Sequence, residues 1–157
     1  MKSFLILIAI ATIFFSQNSL AQNVGIGTTG PLARLHVTDC SVLFSATGGI
    51  PSGIGNPPIS GNGRRLLGNA DKSAFRAGYV GGTNWDKDST GLYSFSTGFD
   101  NKAKGNASTA LGYGTTADGF SSTASGLGTA ARGYASTAQG IGTIASGDIP
   151  LHWETQL

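Results

Sequence analysis

Charge is scarce in this 157-residue chain: Asp, Glu, Lys and Arg together make up 11%, ten basic residues against eight acidic. With no run of Lys or Arg to collect counterions from a phosphate backbone, nucleic acid is excluded as a partner. Low charge also separates the chain from disordered sequences, which combine low hydrophobicity with high net charge. Cysteine is nearly absent. The single Cys40 has no intrachain partner, and its expected role is a buried apolar filler, with intermolecular pairing as the alternative. Histidine occurs only at His36 and His152, so no cluster has metal-ligand spacing. No catalytic residue, metal site or cofactor is expected, and the chain reads as a non-enzyme.

Long hydrophobic runs are missing except at the start, where Phe4 to Phe15 follows Lys2 and leads to Ser19-Leu20-Ala21. A membrane-spanning helix needs about 20 apolar residues, and Ser16, Gln17 and Asn18 interrupt this run too early. Residues 1–21 therefore read as a secretory signal peptide cleaved after Ala21, and the mature protein is expected to be secreted or displayed at the cell surface.

Glycine is what the chain has in plenty, at 25 residues. Collagen would require it at every third position, and that register is absent. A longer period is present instead. Gly105, Gly119, Gly133 and Gly147 form one series, and Gly98, Gly112, Gly126 and Gly140 a second, each spaced by 14. From Asn106 the half-repeats read NASTALG, YGTTADG, FSSTASG, LGTAARG, YASTAQG and IGTIASG, after a degenerate first copy from Leu92 to Gly105.

A seven-residue period can mark a coiled coil, but Gly at every seventh position among Ser and Thr is incompatible with a continuous helix. Alternation fits better: each half predicts a strand of about five residues with one tight inner face, ended by Gly where the chain turns. Small side chains fill that face, in ladders at Ala110, Ala124 and Ala138 and at Ala103, Ala117, Ala131 and Ala145. The first position of each half is mostly large and apolar, at Phe99, Tyr113, Phe120, Leu127, Tyr134 and Ile141. These six are expected to stack as one stripe and, because an interior of Ala and Ser offers little apolar area, to pack against other copies of the chain.

The doubled pattern x-[AGS]-[ST]-T-A-x-G over residues 92–147 resembles the YadA-like head repeats of trimeric autotransporter adhesins. The resemblance implies an all-β fold, a left-handed parallel β-roll assembled as a homotrimer on the outer membrane surface, with host matrix or other cell-surface ligands as partners. Asn23 to Val37 resembles the short β motif opening many tail-fibre-like surface proteins, so residues 22–40 are expected to form a small β motif. Residues 41–91, rich in Gly and Pro, are expected to cap the roll, with strands at Ser41–Ala46, from Arg64, at Phe75–Val80 and at Gly91–Phe95. After Gly147 the sequence DIPLHWETQL replaces a further copy. Residues 148–157 are read as an aberrant tail and the chain as a fragment of a longer surface protein, attached to a membrane only through a C-terminal anchor it lacks. A shaft that merely spaces other domains is the alternative function.

Some motifs invite more. Gly25-Ile-Gly-Thr-Thr-Gly30 spells the dinucleotide fingerprint, but that motif needs a preceding strand and a following helix in a βαβ unit, which the pattern does not offer. Trp85, with Tyr79 and Tyr93, is expected to plug the cap or an interface, with a small adhesive or glycan-contacting surface as the alternative. Thr109, Thr116, Thr123 and Thr137 are expected in outward columns.

Overall fold

The computed structural model describes residues 24–147, so the expected signal peptide and C-terminal tail lie outside the described residues. The fold is all-β apart from two single-turn 3-10 segments, and its main body is a parallel β-solenoid. It divides into two compact units between Leu43 and Phe44.

In the first unit β1 (Val24–Ile26) pairs in parallel with β2 (Leu35–Val37). A Cβ built on Gly27 would fall 2.4 Å from the Thr38 carbonyl oxygen, and its φ is +78°. Glycine is therefore demanded by the close return of the chain, and the strand after it is β2, where the fingerprint would need a helix. His36 accepts a hydrogen bond at Nδ1 from the Leu32 amide at 3.2 Å. Cys40 is exposed, contrary to its expected burial. It follows the left-handed Asp39 in a bend beyond a two-stranded sheet, and a single small sheet has no second layer to cover it.

The strand expected at Ser41–Ala46 is absent, and the residues of that segment are all exposed and irregular. Val42, Leu43 and Phe44 are consecutive apolar residues with no alternation, a pattern that cannot specify a strand by itself. β3 (Gly63–Asn69) and β4 (Ala74–Val80) then form an antiparallel hairpin. They are joined through a 3-10 turn at Ala70–Lys72, where the Asn69 side chain accepts from the Lys72 amide at 3.1 Å. The next strand, β5 (Phe95–Phe99), starts at Phe95 and not at Gly91. Tyr93 takes a left-handed φ of 57° and the Ser94 hydroxyl donates back to the Gly91 carbonyl at 2.6 Å, so the chain is still turning there.

From β5 onward long and short strands alternate. β7 (Thr109–Tyr113), β9 (Thr123–Leu127) and β11 (Thr137–Ile141) have five residues, while β6 (Lys102–Ala103), β8 (Thr116–Ala117), β10 (Ala130–Ala131) and β12 (Ile144–Ala145) have two. Long strands stack in parallel in the order β11-β9-β7-β5-β4, with β3 added antiparallel as the sixth strand of that sheet, and short ones stack in parallel as a four-stranded sheet ordered β12-β10-β8-β6. Thr109 pairs with Thr123 and Thr123 with Thr137, so each strand sits on the one 14 residues away. The two halves of a coil are thus unequal, where the sequence pattern predicted a five-residue strand in both.

Between the sheets lie Ala103, Ala110, Ala117, Ala124, Ala131 and Ala138, all fully buried, with Ala145 partly buried against them. Serines alternate with the alanines inside, and three of them bond within their own coil. Ser108, Ser122 and Ser136 donate to the carbonyls of Gly105, Gly119 and Gly133 at 2.6, 2.8 and 2.8 Å. These bonds satisfy hydroxyls that would otherwise cost free energy to bury.

The glycines divide in the same way. Gly105, Gly119, Gly133 and Gly147 sit at bends, but Gly98, Gly112, Gly126 and Gly140 lie inside the long strands and do not turn the chain as expected. At the first three the reason is close approach, since a Cβ on Gly112 would meet the Gly126 carbonyl oxygen at 2.1 Å, whereas Gly140 is constrained by its φ of +108° alone. The corners themselves fall two residues later, at left-handed Asp100, Gly114, Gly128 and Gly142, and on the other edge at Tyr93, Ala107, Ser121 and Ala135.

Candidate functional site

Because side chains alternate along a strand, the residues of the six-stranded sheet that do not face the alanines face outward. Pairing aligns them in columns. One runs Tyr79, Phe99, Tyr113, Leu127, Ile141, and a second runs Phe75, Phe95, Thr109, Thr123, Thr137. Tyr79 and Phe99 stack at a centroid distance of 4.8 Å, Phe99 and Tyr113 at 4.4 Å, and Phe75 and Phe95 at 5.5 Å. Tyr113 is 54% exposed and Ile141 81%. A contiguous apolar and aromatic surface on one face of a sheet is the feature that most often marks an interaction site.

The six residues read as one stripe belong to two. Phe99, Tyr113, Leu127 and Ile141 form the column just described, whereas Phe120 and Tyr134 stack at 5.3 Å along the opposite edge, beside the Ser121 and Ala135 corners. The separation follows from the unequal halves, since equivalent positions of successive half-repeats end a long strand in one case and precede one in the other. The threonines divide likewise: Thr109, Thr123 and Thr137 lie on the six-stranded sheet and Thr116 on the four-stranded one.

The first coil is closed by a polar plug. In the ladder that continues as Ala110, Ala124 and Ala138, β4 and β5 place Arg76 and Ser96. Arg76 is 1% exposed. Its Nη1 donates to the carbonyls of Phe75 and Ser94 at 2.8 and 3.0 Å, and its Nη2 to Ser94 Oγ and the Ala103 carbonyl at 2.7 and 3.1 Å. Burial without a carboxylate pushes its guanidinium down to about 10. Lys72 Nζ donates to the Lys87 carbonyl at 2.5 Å and to the Thr90 carbonyl. Desolvation lowers its pKa, an effect opposed by Asp88 and reinforced by Lys87 and Arg76.

Trp85, 1% exposed, closes the plug by donating from Nε1 to the Asn101 carbonyl at 2.9 Å. Tyr79 is in the outer aromatic column, but Tyr93 is 60% exposed and belongs to no plug. Asn101 bridges coils, donating from Nδ2 to Thr97 and Gly112 carbonyls and accepting the Thr115 amide at 2.8 Å. Arg76, Lys72 and Asn101 were not candidates in the sequence. A signal for the first exists: Arg76 is in phase with Ala74 and Val80 on the inward side of β4.

Beside this end of the sheet, the Gly48–Pro51 segment, the β3–β4 hairpin and Tyr93 enclose a groove of about 980 Å³. Phe44, Leu66, Phe75 and Tyr93 give it apolar and aromatic walls, and Asp71 and Ser73 give it polar ones. Among the described residues no group of three or more His, Cys, Asp or Glu is placed to hold a metal ion, and no helix is long and apolar enough to cross a membrane. No family model, no curated protein and no solved structure matches this chain.

Proposed function

We propose that this protein is the head-like part of a secreted, non-enzymatic surface adhesin that works as an oligomer of β-rolls. The observation that carries the reading is the outer face of the six-stranded sheet, where Tyr79, Phe99, Tyr113, Leu127 and Ile141 stand in one half-exposed column above coils whose interior is filled mainly by Ala, Ser and Thr. A thin roll with so small an apolar interior gains most by burying that column against copies of itself. The finer form of the proposal is a left-handed roll of 14-residue repeats, assembled as a homotrimer at the outer membrane surface. Attachment would then arise from many weak contacts to host matrix or other cell-surface ligands, repeated along the assembly.

Sedimentation velocity on the purified chain tests the assembly. Wild type is expected to sediment as a trimer, and Tyr113→Lys combined with Leu127→Lys as a folded monomer; a wild-type monomer removes the proposal. A bare shaft that only spaces other domains is distinguished by plate binding to extracellular-matrix proteins, where a shaft gives none.

A further inference from the structure

The geometry points to the groove at the β3 end of the sheet as a carbohydrate site that takes a neutral hexopyranose ring, an inference that gives the proposed adhesin a ligand class. Three observations converge on it.

Gly68 is the first. It occupies the interior of β3, has no positive φ, and a Cβ built on it meets nothing within 4 Å. Neither backbone conformation nor crowding requires glycine there, unlike Gly112 or Gly126, whose Cβ positions are filled by the next coil. Glycine inside a strand weakens it and marks a place where something else comes close.

Phe75 is the second. Its column neighbours are Phe95 on one side and Gly68 on the other. Phe95 covers one side of the ring at 5.5 Å and an interplanar angle of 11°, so the other side looks over the space that Gly68 leaves open. A pyranose has a flat face of C–H bonds that stacks on such a ring.

Tyr93 is the third. The equivalent corner in later coils is Ala107, Ser121 and Ala135, all small and all left-handed. The first coil holds a tyrosine in that conformation at φ 57°, its amide bonded to the Lys72 carbonyl at 2.8 Å and its ring 60% exposed on the groove. A bulky residue at positive φ is strained, and strain of this kind accumulates at functional sites. The Asp71 carboxylate is exposed and makes no hydrogen bond to any described residue, leaving it free to accept the paired hydroxyls on the rim of a sugar. An aromatic platform with a polar rim suits such an amphipathic ring, whereas an aliphatic ligand would leave that rim without partners.

Saturation-transfer NMR on the full chain with lactose, chitobiose and maltose tests the site. Ring protons of at least one disaccharide are expected to receive saturation from wild type. Gly68→Val, which fills the open space with a strand-forming residue, and Tyr93→Ala, which keeps only the corner, are each expected to weaken binding more than about tenfold. Asp71→Asn is expected to cost about tenfold, the value of one hydrogen bond to a charged group. Circular dichroism verifies that the folds are unchanged, and Tyr93→Ala serves alone if Gly68→Val does not fold. No transfer to any of the three sugars, equal transfer in wild type and Tyr93→Ala, or transfer only to a proline-rich peptide overturns the inference. Sedimentation on the same samples separates the two readings: sugar contact by a wild-type monomer leaves the groove assigned and removes the oligomeric adhesin, and a trimer without sugar contact does the reverse.

Discussion

Two glycines two residues apart show how differently one residue type can be used. A Cβ on Gly126 would lie 1.9 Å from the Gly140 carbonyl oxygen, while one on Gly128 would meet nothing, its only constraint being a φ of +61°. Gly128→Ala is therefore expected to cost about 1–2 kcal/mol, the penalty of a left-handed alanine. Gly126→Ala must push two coils apart and is expected to cost roughly 3 kcal/mol or more; urea unfolding of the two variants measures the difference. The buried hydroxyls make a second pair. Ser122 donates to Gly119 at 2.8 Å, whereas Thr129 Oγ1 is buried without a partner. Ser122→Ala should lose about 1 kcal/mol, and Thr129→Val, which removes an unsatisfied polar atom at nearly constant volume, should be neutral or stabilising in the same assay.

At the scale of elements, the long strands and the alanine interior were legible because small residues recur at every second position and glycines at every seventh. Two things were not. Half-repeats that look equivalent as letters, YGTTADG and FSSTASG, end as a two-residue and a five-residue strand. The choice is made by the coils above and below, which bring Gly112 and Gly126 into contact within the long strand. The plug was hidden for the opposite reason, since arginine is rarely interior and only its phase with Ala74 and Val80 betrays Arg76.

That plug has its own consequence. Arg76→Lys keeps the charge but cannot reach both Ser94 and the Ala103 carbonyl with one nitrogen, and is expected to lose roughly 3 kcal/mol. The pH dependence has a definite sign. Burial lowers the guanidinium from its ordinary value to about 10, so between the folded and unfolded values the unfolded chain binds more protons and stability rises with pH. The relief is complete above the unfolded value and is lost as the pH falls through about 10. Denaturant unfolding of wild type and Arg76→Met should therefore show the difference shifting in favour of wild type as the pH passes 10.

For the solenoid unit as a whole, the strands beyond the hairpin pair only with those of neighbouring coils, so stability is a sum of terms within coils and between nearest neighbours and not the property of one large core. β5 is flanked by β4 and β7 and tied to the plug through Asn101, whereas among the described residues β11 is bonded on one side only. Amide exchange followed by mass spectrometry is expected to be slowest over 95–99 and fastest over 137–145, in a gradient along the unit. Uniform protection along the coils would contradict nearest-neighbour stability.

The serine bonds bear on how such a protein changes over generations. Ser108, Ser122 and Ser136 each find their acceptor three residues back, in the same coil, so removing or inserting a block of 14 codons leaves each of these serine bonds intact in the coils that remain and every interior column in phase. Replication slippage at this point of a gene would then alter length alone, by about 4.8 Å per block. The length of the solenoid is a quantity that heredity can adjust in equal steps while its chemistry stays the same.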